Sequence, residues 1–519
     1  MKHSYVLLLL CWLGGLATTV AAQTPDPAPT QPARLELDLD AYESDVHVVP
    51  MPEDSSVVLL VEKEQRTSSR SEFSFQKYDY RLHASRHQVL EVPREYEFSQ
   101  ICAEGTDVYT LFRSQSTPGK LWIAAFDTRT GELGTGEFDT KLVRSVHDLK
   151  ALGGNLFVTV SLDRHLTILL LDLHTAQFRF LPSVYEPMPA TLSFLADSVT
   201  KRAEFVLSES NGFKSRLQVK QLSDQGQLLR SEFVQAESER GLIAAQLSPG
   251  DSAARLLAGT YTLRDARYSQ GLFAADLTAG TTATGQRRSL RFYDFLNLKH
   301  FFDFMKPSKV ARMRERNARL KAESRQKRLH YRVLMHDMRP FEGGYVLVAE
   351  MYFPRYLYGN TYSPFAYMPG YYPGYNPRYN SYSARGNETY RTTQALVCSF
   401  DRHGNLLWDN SFLMEDVETT TLQEVVRMQP LPRGRVALCY LDEEKLRYKI
   451  IDRALPSPND QYVLLATNTS GLKEKSVNVQ QTGLQAWYGS RFVAYGYQDV
   501  RPEHGEHRNV FFLNAINFQ

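Results

Sequence analysis

A short polar cluster near the end of the chain has residue types that bind metal ions. Glu503-His504-Gly505-Glu506-His507 places two histidines three residues apart, with carboxylates beside them. Imidazole and carboxylate groups are ligands for zinc and other transition metals. His504 and His507 are therefore the metal candidates. A solvated hairpin tip explains the same residues more simply. No cofactor is predicted from the sequence.

One carboxylate is placed where it could act as an acid or a base. Glu350 ends an apolar run directly before a segment rich in tyrosine, and His336 and Asp337 belong to the preceding strand-like run. A carboxylate at the mouth of an aromatic cleft could transfer a proton. It could also orient the loop through hydrogen bonds, which the sequence favours, because no second carboxylate stands at a spacing that would complete a glycosidase pair. Glu350 is the one catalytic candidate, and the sequence favours a protein that is not an enzyme.

A basic segment, residues 303–329, is suited to binding anions. Residues 306–329 contain ten Lys or Arg and two Glu, a net charge of +8 in a chain whose total is +2, so the rest of the chain is net acidic. Pro307, followed by a long stretch without Pro or Gly, predicts a helix. A thin apolar stripe, of the kind that rests on a surface, is formed by Val310, Met313 and Leu320.

The cations of this helix are predicted to bind a polyanion: an acidic glycan, lipid headgroups or nucleic acid. The alternative is a solvated helix without a partner. Nucleic acid is the least favoured polyanion, because the chain shows no recognised nucleic-acid-binding fold and reads as exported. The residues predicted to bind are Lys309, Arg312, Arg316 and Arg319.

A second unusual segment, residues 352–390, contains eleven tyrosines and regularly spaced prolines. It has too few aliphatic residues to build a core. Tyrosine presents a flat apolar face with a polar tip, which suits stacking on sugar rings or packing against another protein. The alternative is a low-complexity loop that covers the protein's own surface. The tyrosines predicted to bind are Tyr358, Tyr362, Tyr367, Tyr371, Tyr372 and Tyr375.

The elements that must position these residues are short strands in a repeating unit. Runs rich in β-branched and aromatic residues follow Gly or polar turns, and a second strand pair joined by an Asp/Gly turn follows each run. Four such strands make a unit of about 45 to 55 residues, which is typical of a propeller blade. The units begin near Asp45, Glu97, Arg144, Ala190, Leu242, His330, Leu422 and Val477.

The chain is therefore predicted to be all-β, a single β-propeller over residues 34–519. The last unit has only three strands, and the alternating segment from Leu35 to Tyr42 is left over at the other end. Because a missing strand would expose sheet edges, this segment is predicted to supply the outer strand of the last blade. That arithmetic favours eight blades, with seven blades or two packed β-domains as alternatives.

The topology of such a blade brings the two unusual segments together. In a four-stranded blade, the loop between strands b and c emerges on the same face as the connection to the next blade. The basic helix joins the fifth unit to the sixth, and the tyrosine segment is the b–c loop of the sixth. Both are thus predicted to rise from one face, as loops on a rigid scaffold where binding sites usually occur.

The start of the chain indicates export. Met1-Lys2-His3, an apolar run and Val20-Ala21-Ala22 are typical of a signal peptide cleaved after Ala22, so residues 1–22 would be removed. Residues 23–33 form a Pro-rich linker. No later segment is long and apolar enough to span a membrane, which predicts a secreted, periplasmic or cell-surface protein. The odd number of remaining cysteines argues against a disulfide framework.

Two motifs resemble those of a group of uncharacterised secreted bacterial proteins. The first is Gly343-Gly344-Tyr345 with Glu350 five residues after the tyrosine, and the second is the hairpin from Asp401 through Gly404 to Trp408. The resemblance covers about a fifth of the chain, and the longer tyrosine segment departs from it. It implies a β-propeller-like fold and no known activity.

Together these features predict an exported binding or scaffold protein of the cell envelope. Its partner would be an acidic or neutral glycan or another envelope protein. The alternatives are a carbohydrate-active hydrolase or lyase on a propeller scaffold, and a structural component of an envelope assembly.

Overall fold

The computed structural model describes residues 27–518, except for residues 64–69, 188–190, 211–214, 237–238, 251–254, 279–289, 324, 357–387, 460, 468–473 and 503–506. The predicted signal peptide lies outside the described residues. The strands pair into eight antiparallel sheets that follow one another around a ring, so the chain is an eight-bladed β-propeller, as predicted.

Each blade runs from an inner strand a to an outer strand d in chain order, except that the first strand of the chain, β1 (Thr30–Leu37), belongs to the last blade. Blade 1 contains β2 (Ser44–Met51), β3 (Ser56–Lys63), β4 (Arg70–Tyr78) and β5 (Ala84–Pro93). Blade 2 contains β6 (Tyr96–Glu104), β7 (Asp107–Ser114), β8 (Lys120–Asp127) and β9 (Leu133–Asp139). Blade 3 contains β10 (Ser145–Leu152), β11 (Asn155–Leu162), β12 (His165–Asp172) and β13 (Gln177–Pro187). Blade 4 contains β14 (Thr191–Asp197), β15 (Arg202–Ser210), β16 (Ser215–Ser223) and β17 (Leu228–Val234).

The second half of the ring continues this order, with a divided inner strand in blade 6. Blade 5 contains β18 (Gly241–Leu247), β19 (Leu256–Thr262), β20 (Gly271–Asp276) and β21 (Leu290–Asp294). Blade 6 contains β22 (Arg332–Met335), β23 (Arg339–Phe341), β24 (Gly344–Tyr356), β25 (Glu388–Phe400) and β26 (Leu406–Thr419). Blade 7 contains β27 (Arg427–Leu431), β28 (Arg435–Asp442), β29 (Lys445–Asp452) and β30 (Gln461–Leu464). Blade 8 contains β31 (Glu474–Ala486), β32 (Arg491–Pro502) and β33 (Arg508–Asn517), and β1 completes it.

The position of a strand within its blade explains its sequence pattern. Second strands such as β3 and β11 are buried along most of their length, because both faces are covered by neighbouring blades, and they read as continuous apolar runs. Outer strands such as β9 and β17 alternate between exposed and partly buried positions. The eight inner strands begin within five residues of the predicted unit starts.

The ring closes through β1, which pairs antiparallel with β33. The strand begins at Thr30, earlier than the predicted start at Leu35, so the end of the Pro-rich segment takes part in the sheet. Arg34 secures this closure from a nearly buried position: its Nη1 donates to the carbonyl of Ala466 at 2.7 Å, and its Nη2 donates to Gln498 Oε1 at 2.8 Å. The predicted outer strand is thus confirmed, but it runs from Thr30 to Leu37 and not from Leu35 to Tyr42.

The predicted basic helix is present as α1 (Pro307–Ala322), with Pro307 at its first turn. Val310 is buried and Met313 and Leu320 are half-buried, so the predicted apolar stripe faces the protein. Within the described residues, no helix is long and apolar enough to cross a membrane.

The three cysteines of the ring, Cys102, Cys398 and Cys439, are all unpaired. Cys398 and Cys439 are completely buried, and burial raises the pKa of both thiols. Burial also raises the pKa of Cys102, which lies on an inner strand. These thiols act as small apolar side chains and are poor nucleophiles.

Candidate functional site

One face of the ring carries the connections between blades and the loops between strands b and c; we call it the connection face. The basic segment joins β21 to β22 and so begins and ends there. Gln270, at the end of the b–c loop of blade 5, donates through Nε2 to the carbonyl of Lys327 at 3.0 Å, and its Oε1 accepts the N–H of Leu329 at 3.1 Å. The basic segment therefore lies beside a b–c loop.

An aromatic group, formed by residues between β21 and α1 and by Tyr331 after α1, fills the gap between blades 5 and 6. Phe295 and Phe301 stack with ring centroids 4.2 Å apart, and Tyr331 meets Phe301 edge-on at 5.1 Å. These rings share an apolar cluster with Leu272 of blade 5 and Leu347 of blade 6. The gap between two blades widens outward. This aromatic group fills it, and α1 packs on top of the group.

Polar contacts then hold the helix and the chain that follows it. Arg314 donates through Nε to the carbonyl of Leu296 at 3.0 Å and through Nη2 to the carbonyl of Leu298 at 2.7 Å. Asn317, which is buried in the helix, accepts the N–H of Lys327 on its Oδ1 at 3.1 Å. The segment after the helix is thus fixed against it, and one arginine of the basic segment is used for docking.

Lys309 and Arg316 of the helix and Lys327 of the returning segment form what we call the cationic patch, in which the charges of the first two act on the third. Burial lowers the pKa of Lys327, and the like charges of Arg316 and Lys309 lower it further. Within the described part of the chain, none of the three has an ion pair. Their charges repel one another and would be stabilised by an anion.

The four predicted cationic residues of the helix are all exposed, but they differ in their contacts. Arg319 pairs with Glu315 at 2.6 Å across one helical turn, and Arg312 donates through Nε to the carbonyl of Ser308. Lys309 and Arg316 belong to the cationic patch. Lys327 lies in the predicted basic segment but was not one of the residues named individually, since its approach to the helix depends on the turn between them.

The predicted tyrosines, Tyr358, Tyr362, Tyr367, Tyr371, Tyr372 and Tyr375, lie outside the described residues. The strands that flank them are described: β24 and β25 pair as far as Tyr356 and Glu388. Strand b of blade 6 ends there and strand c begins, which is the position of a b–c loop on the connection face.

Glu350 is completely buried within blade 6 and does not face a cleft. Its Oε1 accepts the N–H groups of Val425 and Val426 at 2.9 and 2.8 Å, and it lies 2.8 Å from Nε2 of His336. Its Oε2 is buried without a hydrogen-bond partner among the described residues. This geometry anchors the connection from blade 6 to blade 7, which is a positioning role.

His336 lies in a break of the inner strand, between β22 and β23, rather than inside a strand. The pairing passes from Met335–Ala349 to Arg339–Val346, so the inner strand holds one extra residue there. Burial disfavours a charged imidazole, but Glu424 and Glu350 outweigh it and raise the pKa of His336. The break thus produces a buried ion pair that the sequence did not reveal.

A second ionic contact, missed by sequence analysis, crosses the centre of the ring. Lys150 of blade 3 lies 3.7 Å from Asp337 of blade 6, and these blades are not neighbours, so the pair spans the central channel. Lys150 also donates to the carbonyl of Phe194. Burial opposes the charge on Lys150, but Asp337, Asp148 and Glu424 outweigh it and raise its pKa. An ion pair therefore bridges the central channel.

The two metal candidates are not brought into a described site. His507 is exposed just before β33, and His504 lies outside the described residues. Among the residues that are described, no three His, Cys, Asp or Glu side chains are grouped to hold a metal ion.

The structure gives a physical reason for the two sequence motifs of blade 6. Gly343 has a φ of +76°, and a Cβ on Gly344 would lie 2.2 Å from a carbonyl oxygen of the paired strand, so both positions require glycine. Asp401 accepts backbone N–H groups in the c–d turn, Gly404 has a φ of +78°, and Trp408 is buried. The motifs therefore specify turns and packing.

No protein-family model and no curated protein matches the chain. Among solved structures, a prolyl endopeptidase is 10% identical over 89% of this chain and 54% of its own, with a TM-score of 0.37. The β-propeller domain of the Trilobed protease from Pyrococcus furiosus is 9% identical over 91% and 96%, with a TM-score of 0.36. A puromycin-hydrolyzing peptidase from Mycobacterium tuberculosis is 12% identical over 79% and 53%, at 0.37.

The chain spans about half the length of these two peptidases. At such TM-scores the likenesses carry no argument about activity. The fold assignment rests on the strand pairing of this chain, which defines an eight-bladed β-propeller with a basic helix docked on its connection face.

Proposed function

We propose that the protein is exported and binds an acidic polymer, most simply an acidic glycan, through the cationic patch of Lys309, Arg316 and Lys327. The observation that supports this most directly is the density of positive charge on the docked basic segment: residues 306–329 carry a net charge of +8, and none of the three patch residues has an ion pair among the described residues. Such an arrangement costs free energy in the unbound protein. A bound anion offsets that cost.

A polymer fits better than a small anion because cations continue along the exposed side of the helix. Arg312, Arg319 and Lys321 extend the charge beyond the patch, and all three are exposed. Only two acidic residues, Glu315 and Glu323, interrupt this series. Repeated negative charges on a chain could therefore contact the patch and the helix together. The tyrosine segment, whose flanking strands end on the connection face, would add contacts with the partner.

The test is binding of the purified mature protein to heparin, as a sulfated polysaccharide, and to dextran, as a neutral one, at low and high salt. We expect binding to heparin alone, weakened by salt because screening acts on exposed charges. Replacing the patch, K309Q/R316Q/K327Q, should reduce the affinity at low salt by about tenfold or more, since hydrogen bonds to charged groups contribute about 1.5–3 kcal/mol each.

The matched control removes the same number of charges elsewhere. Lys141, Arg164 and Lys201 are exposed turn residues on blades 2, 3 and 4, and K141Q/R164Q/K201Q should bind heparin almost as the wild type does. Equal losses of heparin affinity in both triple variants would show that the interaction depends only on net charge, and would contradict binding through the cationic patch. Binding to dextran that is insensitive to salt would assign recognition to the tyrosines. Absence of binding to both would favour a protein partner.

The hydrolase alternative has no support from the position of Glu350. A general acid must reach the substrate, whereas Glu350 is completely buried and holds two backbone N–H groups. The alternative of an envelope assembly component predicts stable oligomers of the mature chain, which light scattering would detect.

A further inference from the structure

A cavity between blades 6 and 7 lies apart from the connection face. Its walls come from the ends of the inner strands β23 and β27, next to the turns that lead into β24 and β28. Its volume is about 230 Å³. The apolar part of the wall is formed by Pro340, Phe341, Val346, Met428, Pro430 and Val436.

One cation, Arg339, lines this apolar cavity. Its Nη1 donates to the carbonyl of Met428 at 3.0 Å and, at the limit of 3.5 Å, to Oε1 of Gln429. Gln429 is itself buried, and its Nε2 donates to the carbonyl of Arg491 at 3.2 Å. These contacts fix the plane of the guanidinium from one side.

The other edge of the same guanidinium is available. Within the described part of the chain, Nε and Nη2 of Arg339 make no hydrogen bond. These two N–H groups point in parallel and match the two oxygens of a carboxylate. Arg339 and Pro340 are themselves exposed at the mouth of the cavity, so this edge of the guanidinium is accessible from solvent. A carboxylate that binds there would replace water on Nε and Nη2 with a paired, charge-assisted hydrogen bond.

We propose that this cavity binds a small carboxylate that carries an apolar group about the size of a benzene ring, with the carboxylate on Nε and Nη2 of Arg339 and the apolar group against Phe341, Met428 and Val436. The size follows from the volume, because a cavity of about 150 Å³ accommodates benzene, which leaves room here for a carboxylate and its short link. This site is independent of the cationic patch.

Two sources of this chemistry are distinguishable. One is a simple aryl or branched aliphatic acid, and the other is an apolar α-amino acid, which carries an ammonium group beside its carboxylate. Isothermal titration of the whole mature protein with phenylacetate, 2-phenylacetamide and phenylalanine separates them. We expect phenylacetate or phenylalanine to bind at least tenfold more tightly than the neutral amide. The tighter of the two acids identifies the source.

Two arginine variants locate the binding. R339Q should weaken binding of the acid by tenfold or more, since a paired charge-assisted hydrogen bond is lost, and R339K should also weaken it, because lysine lacks the planar fork. R433Q is the matched control, because Arg433 is an exposed residue of the turn after β27 and does not line the cavity.

Three results would overturn the proposal. The first is that the wild type binds neither acid. The second is that it binds the amide as tightly as the acids. The third is that R339Q and R433Q bind the acid like the wild type. Because the first two use the wild-type protein alone, the test does not depend on the stability of a variant.

Discussion

The two sides of blade 6 are buried by different means. Toward blade 5, Tyr345, Leu347 and Met351 of β24 share an apolar cluster with Phe295 and Phe301 from the connecting segment. Toward blade 7, apolar packing is flanked by charge. Glu350 and His336 form a buried pair on the inner side, and Lys449 is buried against blade 6 farther out.

The difference shows that one sheet can pack against its two neighbours by different interactions, which respond differently to pH and to the loss of a single partner. Apolar burial needs only shape and area, and it is indifferent to pH. Buried charges need every partner in place, and removal of one leaves the other uncompensated. The blade 5 side can therefore accept a long insertion if it brings its own aromatic residues, whereas the blade 7 side is exacting in its geometry.

The largest expected effect is on the charged side, for Glu350→Ala. The change leaves His336 without its closest partner and leaves the N–H groups of Val425 and Val426 without their acceptor. We expect the free energy of unfolding to fall by about 4 kcal/mol or more, measured by urea denaturation. The control is Glu342→Ala, whose pair with Arg453 is exposed and should cost less than about 1 kcal/mol. Equal losses would show that Glu350 is not an anchor.

On the apolar side, Phe301→Ala should lower the free energy of unfolding by about 3–4 kcal/mol, because it opens a cavity in the aromatic group. This loss should be the same at pH 6 and pH 9, since no charge is involved. Phe304→Ala, at an exposed position of the same segment, should change little. If the loss of stability in Phe301→Ala varied with pH, the apolar side would not differ from the charged side in the way described.

A smaller effect, of about 3 kcal/mol, is expected from the pH dependence of Lys449. Burial lowers its pKa to about 8, while the unfolded chain keeps a value near 10.5. The folded state therefore disfavours the charge, and stability falls as pH drops from about 10.5 to about 8. Lys449→Met should lack this pH dependence. The difference in free energy of unfolding between the variant and the wild type should therefore shift in favour of the variant as the pH falls from about 10.5 to about 8.

The measurement is urea denaturation of both proteins at the two pH values. The variant also loses the bonds of Lys449 to Ser411 and Asn459, so the change in the difference with pH is the quantity to compare. Parallel pH profiles would show that Lys449 has an ordinary pKa and that this part of the blade 7 side does not titrate. Lys445→Met, on the same strand, serves as the control.

Much of the fold could be predicted because local patterns determine it. Continuous apolar runs marked the second strands, and Asp/Gly turns marked the hairpins between c and d, so the starts of all eight blades were located closely. The apolar stripe of α1 was also visible in the sequence. The start of β1 was not visible in the sequence, because Pro residues obscured its first half.

The candidate sites were predicted less well. Lys309 and Arg316 were found from the density of basic residues, but Lys327 required the hydrogen bond to Asn317 that folds its segment back onto the helix. The pairing of Lys150 with Asp337 had no local signal, since the two residues lie on blades that meet only across the ring axis. Arg339 gave no signal because its cavity is lined by two different blades.

The sequence by itself determined the all-β class, the eight four-stranded units, the strand that closes the ring and the basic helix. These depend on side-chain periodicity and turn chemistry within a few residues. Only the tertiary structure decided that Glu350 is an anchor, that the segment with Lys327 returns to the helix and that Arg339 borders a cavity. Each of those depends on which groups different blades bring into contact, because burial and charge interactions act through space and not along the chain.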